Sequence, residues 1–127
     1  MARTPRRILV VDDDRDIAET FALLLRSMGH DAVSLTEPAK AEDYVDALQP
    51  HIAFLDIGMP GTDGWTLAAR LRARYSADVL KLVAITAYGE EHDRARSRHA
   101  GFDAHLLKPA SVDLVESILS QFFSPAG

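Results

Sequence analysis

The chain has 127 residues, 47% hydrophobic and 26% charged, and this balance predicts one globular domain with a core large enough to fold alone. Its net charge of −5 argues against direct binding of nucleic acid. It has no cysteine for a disulfide framework, and no apolar run approaches the roughly 20 residues of a membrane span. We therefore expect a cytoplasmic protein without membrane insertion.

Short apolar runs alternate with helical periodicities five times along the chain, without repeats. We expect strands at Arg7–Val11, Asp31–Leu35, His51–Asp56, Lys81–Thr86 and Ala104–Leu107. The helices between and after them are expected from an Asp14 or Asp16 cap to Gly29, from Pro38 to Pro50, from Gly64 to about Tyr75, from Glu90 to Ala100, and after a Ser111 cap. This alternation predicts a doubly wound α/β domain, with a five-stranded parallel sheet and helices on both faces.

The ends of the chain differ in composition from the alternating region. We expect residues 1–6 to form a flexible arm, 7–123 to form the domain, and 124–127 to be a tail or linker stub. Helical spacing also predicts which side chains face inward on the second and the last helix. These are Ala41, Val45 and Leu48 on the second helix, and Val112, Val115, Ile118, Leu119 and Phe122 on the last.

Polar side chains follow four of the strands, at the edge where open α/β sheets bind their ligands. They are Asp12, Asp13 and Asp14 after the first strand, Asp56 after the third, Thr86 after the fourth and Lys108 after the fifth. Converging carboxylates repel one another unless a positive charge, from Lys108 or from a divalent cation, lies between them. An all-oxygen ligand set favours Mg²⁺ or Mn²⁺ over zinc. Such a site could stabilise a phosphoryl group in transit to a nucleophilic carboxylate.

Four motifs at these strand ends together resemble the receiver domain of bacterial two-component signalling, the family of the chemotaxis response regulator. The motifs are Ile8-Leu9-Val10-Val11-Asp12-Asp13, Leu55-Asp56 with Met59-Pro60 and Asp63-Gly64, Ile85-Thr86-Ala87, and Leu107-Lys108-Pro109. The resemblance runs from about Arg7 to Phe123 and extends to receivers of hybrid sensor kinases. It implies a flavodoxin-like sheet in the order 2-1-3-4-5 and a signalling switch, not a turnover enzyme.

The resemblance also implies how phosphate and metal are bound. Asp56 would accept a phosphoryl group from a histidine kinase or a histidine phosphotransfer protein. Asp56 would also contact Mg²⁺, which Asp13 would ligate directly and Asp12 largely through water. The backbone carbonyl of Gly58 would supply a further ligand.

A second set of implied roles concerns the response to phosphate. Thr86 would hydrogen-bond the phosphoryl group and Lys108 would pair with it, with a cis peptide bond between Lys108 and Pro109. His105 lies three residues before the lysine, where the family usually has an aromatic switch residue, and would take that part. A downstream protein would bind the face made by the fourth helix, the fifth strand and the fifth helix, which we name the output face.

Other interpretations of the same residues remain open at this point. A Mg²⁺-dependent phosphatase with an aspartyl nucleophile would use the acidic run differently, although the chain is short for one. A receiver-like docking module would carry no phosphate. The acidic residues could also simply cap a helix, and Asp14, the best capping candidate, is left out of the predicted site.

Overall fold

The computed structural model describes residues 5–58, 64–86 and 98–123, and the strands and helices alternate as expected. The strands are β1 (Arg7–Val11), β2 (Asp31–Leu35), β3 (Ile52–Asp56), β4 (Lys81–Thr86) and β5 (Ala104–Leu107). The helices are α1 (Arg15–Ser27), α2 (Ala41–Leu48), which follows a 3₁₀ turn at Pro38–Lys40, α3 (Gly64–Arg74) and α4 (Val112–Phe122). None of these described helices is long and apolar enough to cross a bilayer.

The five strands form one sheet in the order β2-β1-β3-β4-β5, and every pair of neighbours is parallel. This is the flavodoxin-like order expected, so the predicted fold class is confirmed. All five residues of the central strand β3 are buried. Its uninterrupted apolar run is what a strand covered on both faces requires.

Two apolar layers cover the two faces of the sheet. Helices α1 and α4 pack over Ile52 and Phe54 of β3, and the ring of Phe54 lies 4.8 Å from that of Phe21 on α1. Helices α2 and α3 pack over Ala53 and Leu55. Alternate residues of one strand therefore serve opposite layers, because successive side chains point to opposite faces.

The helix ends follow the local signals in the sequence. Asp14 accepts a hydrogen bond from the backbone N–H of Ile17 at 3.2 Å, and Ser111 accepts one from Leu114 at 3.2 Å. Gly29, with a φ of 96°, follows the end of α1. Two predicted inward positions are wrong, because Leu48 and Val112 are both exposed. Each is in the terminal turn of its helix, where fewer neighbours surround a side chain than in the middle.

The helix predicted from Glu90 to Ala100 lies mostly outside the described residues, but residues 98–100 are helical. Residues 1–4 and 124–127, most of the predicted arm and the whole predicted tail, also lie outside them. The domain limits 7–123 therefore stay a prediction.

Candidate functional site

The sheet brings four of the predicted site residues to one edge. Asp56 is the last residue of β3 and Thr86 the last of β4, while Asp12 and Lys108 come directly after β1 and β5. These strands are neighbours in the sheet and run in the same direction. Their carboxyl ends therefore meet, and we call the cluster they form the acidic edge.

Three carboxylates and one ammonium group meet at the acidic edge. One carboxylate oxygen each from Asp12, Asp13 and Asp56 lies within 4.8 Å of the others. The Lys108 Nζ is 3.4 Å from Oδ2 of Asp12 and 3.4 Å from Oδ2 of Asp56. Asp12 is 1% exposed and Asp56 7%, whereas Asp13 is exposed. The cluster thus runs from the protein interior out to solvent.

Backbone N–H groups hold one oxygen of each buried carboxylate. Asp12 Oδ1 accepts from Asp14 and Asp56 Oδ1 from Gly58, both at 3.0 Å. In each case the donor is two residues later in the chain, which is the local bond that an Asp side chain makes in a tight turn. Sequence reasoning missed these two donors. An Asp at the end of an apolar run, followed by turn residues, is the signal that could have revealed them.

Burial and charge shift the pKa values of Asp12 and Lys108. Burial raises the pKa of Asp12 above its ordinary value and the Asp56 charge adds to this, while the Asp14 N–H and Lys108 oppose it. Burial alone would lower the pKa of Lys108, but the nearby carboxylates of Asp56 and Asp12 outweigh it and raise that pKa. Lys108 is therefore a firmly protonated ammonium group between two acids.

Thr86 and Lys108 are linked through the backbone. The N–H of Lys108 donates to the carbonyl oxygen of Thr86 at 2.8 Å, and Thr86 is buried. The peptide bond between Lys108 and Pro109 is cis, which confirms that prediction. His105 is half-buried on β5 and is not part of the acidic edge. It lines a cavity of about 310 Å³ together with Arg98, Phe102, Asp103, Ala104, Ile118 and Gln121.

Helix α3 begins against the backbone of the acidic edge. A Cβ added to Gly64 would lie 2.7 Å from the carbonyl oxygen of Asp56 and 2.7 Å from the Cα of Ile57. No side chain fits there without a backbone shift. In the sequence Gly64 was predicted only as the first residue of a helix, whereas the structure shows that the close approach of two backbones requires glycine there.

The donor set at the acidic edge fits a hard divalent cation. All three side chains offer carboxylate oxygens, and these outnumber the single ammonium group of Lys108. The buried Oδ2 of Asp12 accepts no hydrogen bond within normal geometry from the residues that the structure describes, and its compensating charge is the Lys108 Nζ at 3.4 Å, which Asp56 shares. A bound cation would compensate this buried oxygen more fully. The oxygen ligands suit Mg²⁺ or Mn²⁺.

A flavodoxin-like sheet whose acidic edge carries a lysine is the combination that the predicted class of signalling domain has. Comparison with known proteins supports the same class. Residues 8–119 match the family described as the response regulator receiver domain. The chain belongs to this family, a family of two-component signalling.

The chain is similar to a DNA-binding dual master transcriptional regulator, RpaA of Synechocystis, with 31% identity over 84% of this chain. It covers only 44% of that regulator's length. Among solved structures it resembles a CheY-like receiver domain from Methylobacillus flagellatus, with a TM-score of 0.82, 28% identity, and coverage of 94% of this chain and 99% of that one. It also resembles the response regulator TrrA from Thermotoga maritima in complex with Mg²⁺-BeF, with a TM-score of 0.80, 27% identity, and coverage of 92% and 98%.

Proposed function

We propose that this receiver domain is a phosphoacceptor switch of a two-component phosphorelay, in which Asp56 takes a phosphoryl group from a phosphohistidine. The donor would be a histidine kinase or a histidine phosphotransfer protein in the cytoplasm. One observation carries the proposal. Asp56 ends the central strand with Oδ1 held by the Gly58 N–H at 3.0 Å and Oδ2 at 3.4 Å from the Lys108 ammonium group.

The contacts of Asp56 suit it to act as the nucleophile. A carboxylate oxygen forms the bond to phosphorus while the bond from phosphorus to the donor imidazole nitrogen breaks, and the electron pair stays with the imidazole. The Gly58 N–H fixes the orientation of the carboxylate. The ammonium group of Lys108 lies where it can neutralise negative charge on the phosphoryl oxygens, inside a site where water screens poorly.

A divalent cation would complete the charge balance. Asp12, Asp13, Asp56 and the Gly58 carbonyl are the proposed ligands for Mg²⁺, with Mn²⁺ as a substitute. When bound, the metal would neutralise the carboxylates and the incoming phosphoryl oxygens. Support comes from the three grouped carboxylates and from the similar regulator TrrA, whose structure contains Mg²⁺-BeF.

Thr86 and His105 are the proposed path from the site to a downstream protein. The Thr86 hydroxyl would hydrogen-bond the phosphoryl group, and His105 on the neighbouring strand β5 would change its position in response. The output face, which includes β5 and the last helix, labelled α4 here, would then bind a downstream protein. An imidazole NMR signal of His105 that stays unchanged on phosphorylation would reject the part given to His105.

Intact mass spectrometry tests the proposed function. The full chain is treated with a phosphohistidine donor or a small acyl phosphate, with and without Mg²⁺. We expect the mass of one phosphoryl group to be gained only with Mg²⁺. An unchanged mass under both conditions would leave a docking module as the better description, and continuous hydrolysis of a phosphate ester would favour a phosphatase.

Mg²⁺ should also stabilise the fold, because it relieves repulsion among the three carboxylates and binds the folded chain preferentially. At a concentration of about 100 times the dissociation constant, the expected gain in unfolding free energy is about 2.7 kcal/mol. Asp13→Ala should lose most of this gain. Asp16→Ala, which removes an exposed carboxylate from the first turn of α1, should keep it. Thermal melts with and without Mg²⁺ measure the difference, and equal shifts in all three proteins would reject Asp13 as a ligand.

A further inference from the structure

Two histidines flank the start of β1, at the opposite end of the sheet from the acidic edge. His30 comes directly before β2 and His51 directly before β3, and these two strands are the neighbours of β1. His30 Nδ1 accepts from the backbone N–H of Arg6, and His51 Nδ1 accepts from the backbone N–H of Arg7, both at 3.0 Å. The two imidazoles therefore accept hydrogen bonds from backbone N–H groups at the start of β1, next to the regular hydrogen bonds between the strands. We call this region the amino edge.

These two hydrogen bonds exist only when the imidazoles are neutral. A neutral imidazole has one acceptor nitrogen and one N–H, whereas an imidazolium has two donors and no acceptor. The nitrogen that accepts here is Nδ1, so the ring proton of each neutral histidine is on Nε2. Protonation of either ring would turn its bond to the backbone N–H into a contact between two donors.

Phe123, directly after the C-terminal end of α4, packs on His51 and Arg6. The ring of Phe123 lies 6.2 Å from that of His51 at an interplanar angle of 79°, and the guanidinium carbon of Arg6 lies 4.1 Å from the Phe123 ring centroid. The next ring, Phe122, lies 6.3 Å from Phe123 and has the Lys81 Nζ 5.4 Å from its centroid. The amino edge thus joins the start of β1 to the end of α4 through His51 and Arg6.

Within residues 5–58, 64–86 and 98–123, the charged groups that act on the His51 ring are Arg7 and Arg6, at the start of β1. Lys81 on β4 contacts His51 through the backbone, where its N–H donates to the His51 carbonyl oxygen at 3.0 Å. The Arg7 guanidinium is itself tied to the Gln49 carbonyl oxygen at 3.0 Å. Phe123, which comes directly after α4, adds apolar surface beside the ring. A proton on His51 would add positive charge beside two guanidinium groups.

We propose that His51 is a proton-operated clasp, which fastens the start of β1 beside the end of α4 when its imidazole is neutral and loosens the start of β1 when it is protonated. The phosphorylation chemistry is at the other end of the strands, so this inference does not depend on it. The clasp would make the ends of the domain responsive to acidity.

The sign of the pH effect follows from the surroundings of the ring. Burial lowers the pKa of His51, and the charges of Arg7 and Arg6 lower it further. As the pH falls through the ordinary value of about 6.5, the unfolded chain takes up a proton before the folded chain does. The contribution of His51 to the free energy of unfolding is therefore fully present above that pH. It is lost progressively as the pH falls from about 6.5 to the lowered pKa of the folded state.

Two measurements on the unmodified chain test the clasp. The ¹⁵N shifts of the His51 imidazole should show an unprotonated Nδ1 and a protonated Nε2 at pH 8. Hydrogen exchange should show that the protection factor of the Arg7 amide falls by about 5- to 10-fold between pH 8 and a pH below the midpoint of the His51 titration, which the same ¹⁵N shifts locate, as expected for one lost hydrogen bond. A protonated Nδ1 at pH 8, or constant protection of that amide, would overturn the proposal.

Three variants separate the titration of His51 from its packing. His51→Asn keeps an acceptor near the Nδ1 position that does not titrate, so its stability should depend less on pH between 8 and 5.5 than that of the wild type. His99→Asn, the same change at an exposed histidine, should keep the wild-type dependence. His51→Leu lacks any acceptor and should show weak protection of the Arg7 amide already at pH 8. An unaltered pH dependence in His51→Asn would overturn the clasp.

Discussion

Asp56→Asn should abolish phosphorylation of the domain, so that treatment with an acyl phosphate and Mg²⁺ no longer changes its mass. The substitution keeps the shape of the side chain, and an amide oxygen can still accept from the Gly58 N–H that now holds Oδ1 at 3.0 Å. It replaces the carboxylate with an amide, which is a poor nucleophile and carries no charge to attract Lys108 or a cation. The expected loss is therefore chemical and not a loss of fold.

The matched control for this prediction is Asp14→Asn. Asp14 is exposed and caps α1 through the Ile17 N–H, two residues from Asp12 in the same acidic run. An asparagine is an equally good cap, so stability should change little. This variant should gain the same phosphoryl mass as the wild type. A mass gain that survives in Asp56→Asn would place the acceptor elsewhere and reject the assignment.

Arg72→Met should cost about 2–4 kcal/mol of unfolding free energy, the largest stability loss that we expect from a single surface-facing charge. Arg72 is on α3, and its guanidinium group joins three separate parts of the chain. It donates to the carbonyl oxygens of Leu80 at 2.7 Å, of Gly101 at 2.9 Å and of Tyr75 at 3.2 Å, and to Oδ2 of Asp103 at 2.7 Å.

The loss of Arg72 would extend to its partners. Asp103 Oδ2 also accepts from the backbone N–H of Leu82 at 2.8 Å, so its carboxylate links α3 to β4 as well as to the chain before β5. Without the guanidinium group, that partly buried carboxylate and several carbonyl oxygens lose a donor together. Methionine keeps much of the length of the side chain, so the measured loss reports on the hydrogen bonds more than on packing.

Arg70→Met on the same helix is the control. The Arg70 side chain pairs with Glu42 and is 52% exposed, against 20% for Arg72. Exposed ion pairs contribute little, so this change should cost less than about 1 kcal/mol. Chemical denaturation of both variants gives the two free energies. Similar values for the two would show that the network around Arg72 adds nothing to an ordinary surface charge.

Much of the fold could be predicted from the sequence because the strands are continuous apolar runs. Lys81–Thr86 and Ala104–Leu107 were predicted with the bounds that the structure has. Parallel strands end at one edge, so the meeting of Asp12, Asp56 and Lys108 also followed from their places at strand ends. The strand bounds depend only on local pattern and the shared edge on the direction of the chain, whereas the strand order 2-1-3-4-5 was implied by the family resemblance.

The parts that sequence reasoning missed depend on contacts between distant segments. An arginine on a helix is normally solvated, and nothing near Arg72 in the sequence indicates that its partners include Gly101 and Asp103. The apolar residues Leu48 and Val112 fit the helical period, yet their exposure depends on where each helix ends. Likewise, the pairing of His51 with the N–H of Arg7 requires the register of β1 against β3.

The backbone bond between Lys108 and Thr86 has a consequence for how the site works. Because the Lys108 N–H donates to the Thr86 carbonyl oxygen at 2.8 Å, the ends of β4 and β5 are mechanically joined where the two side chains begin. A displacement of the backbone at one residue is therefore passed to the backbone of the other. We expect substitutions at Thr86 and Lys108 to have effects that are not additive, as for other residues in direct contact.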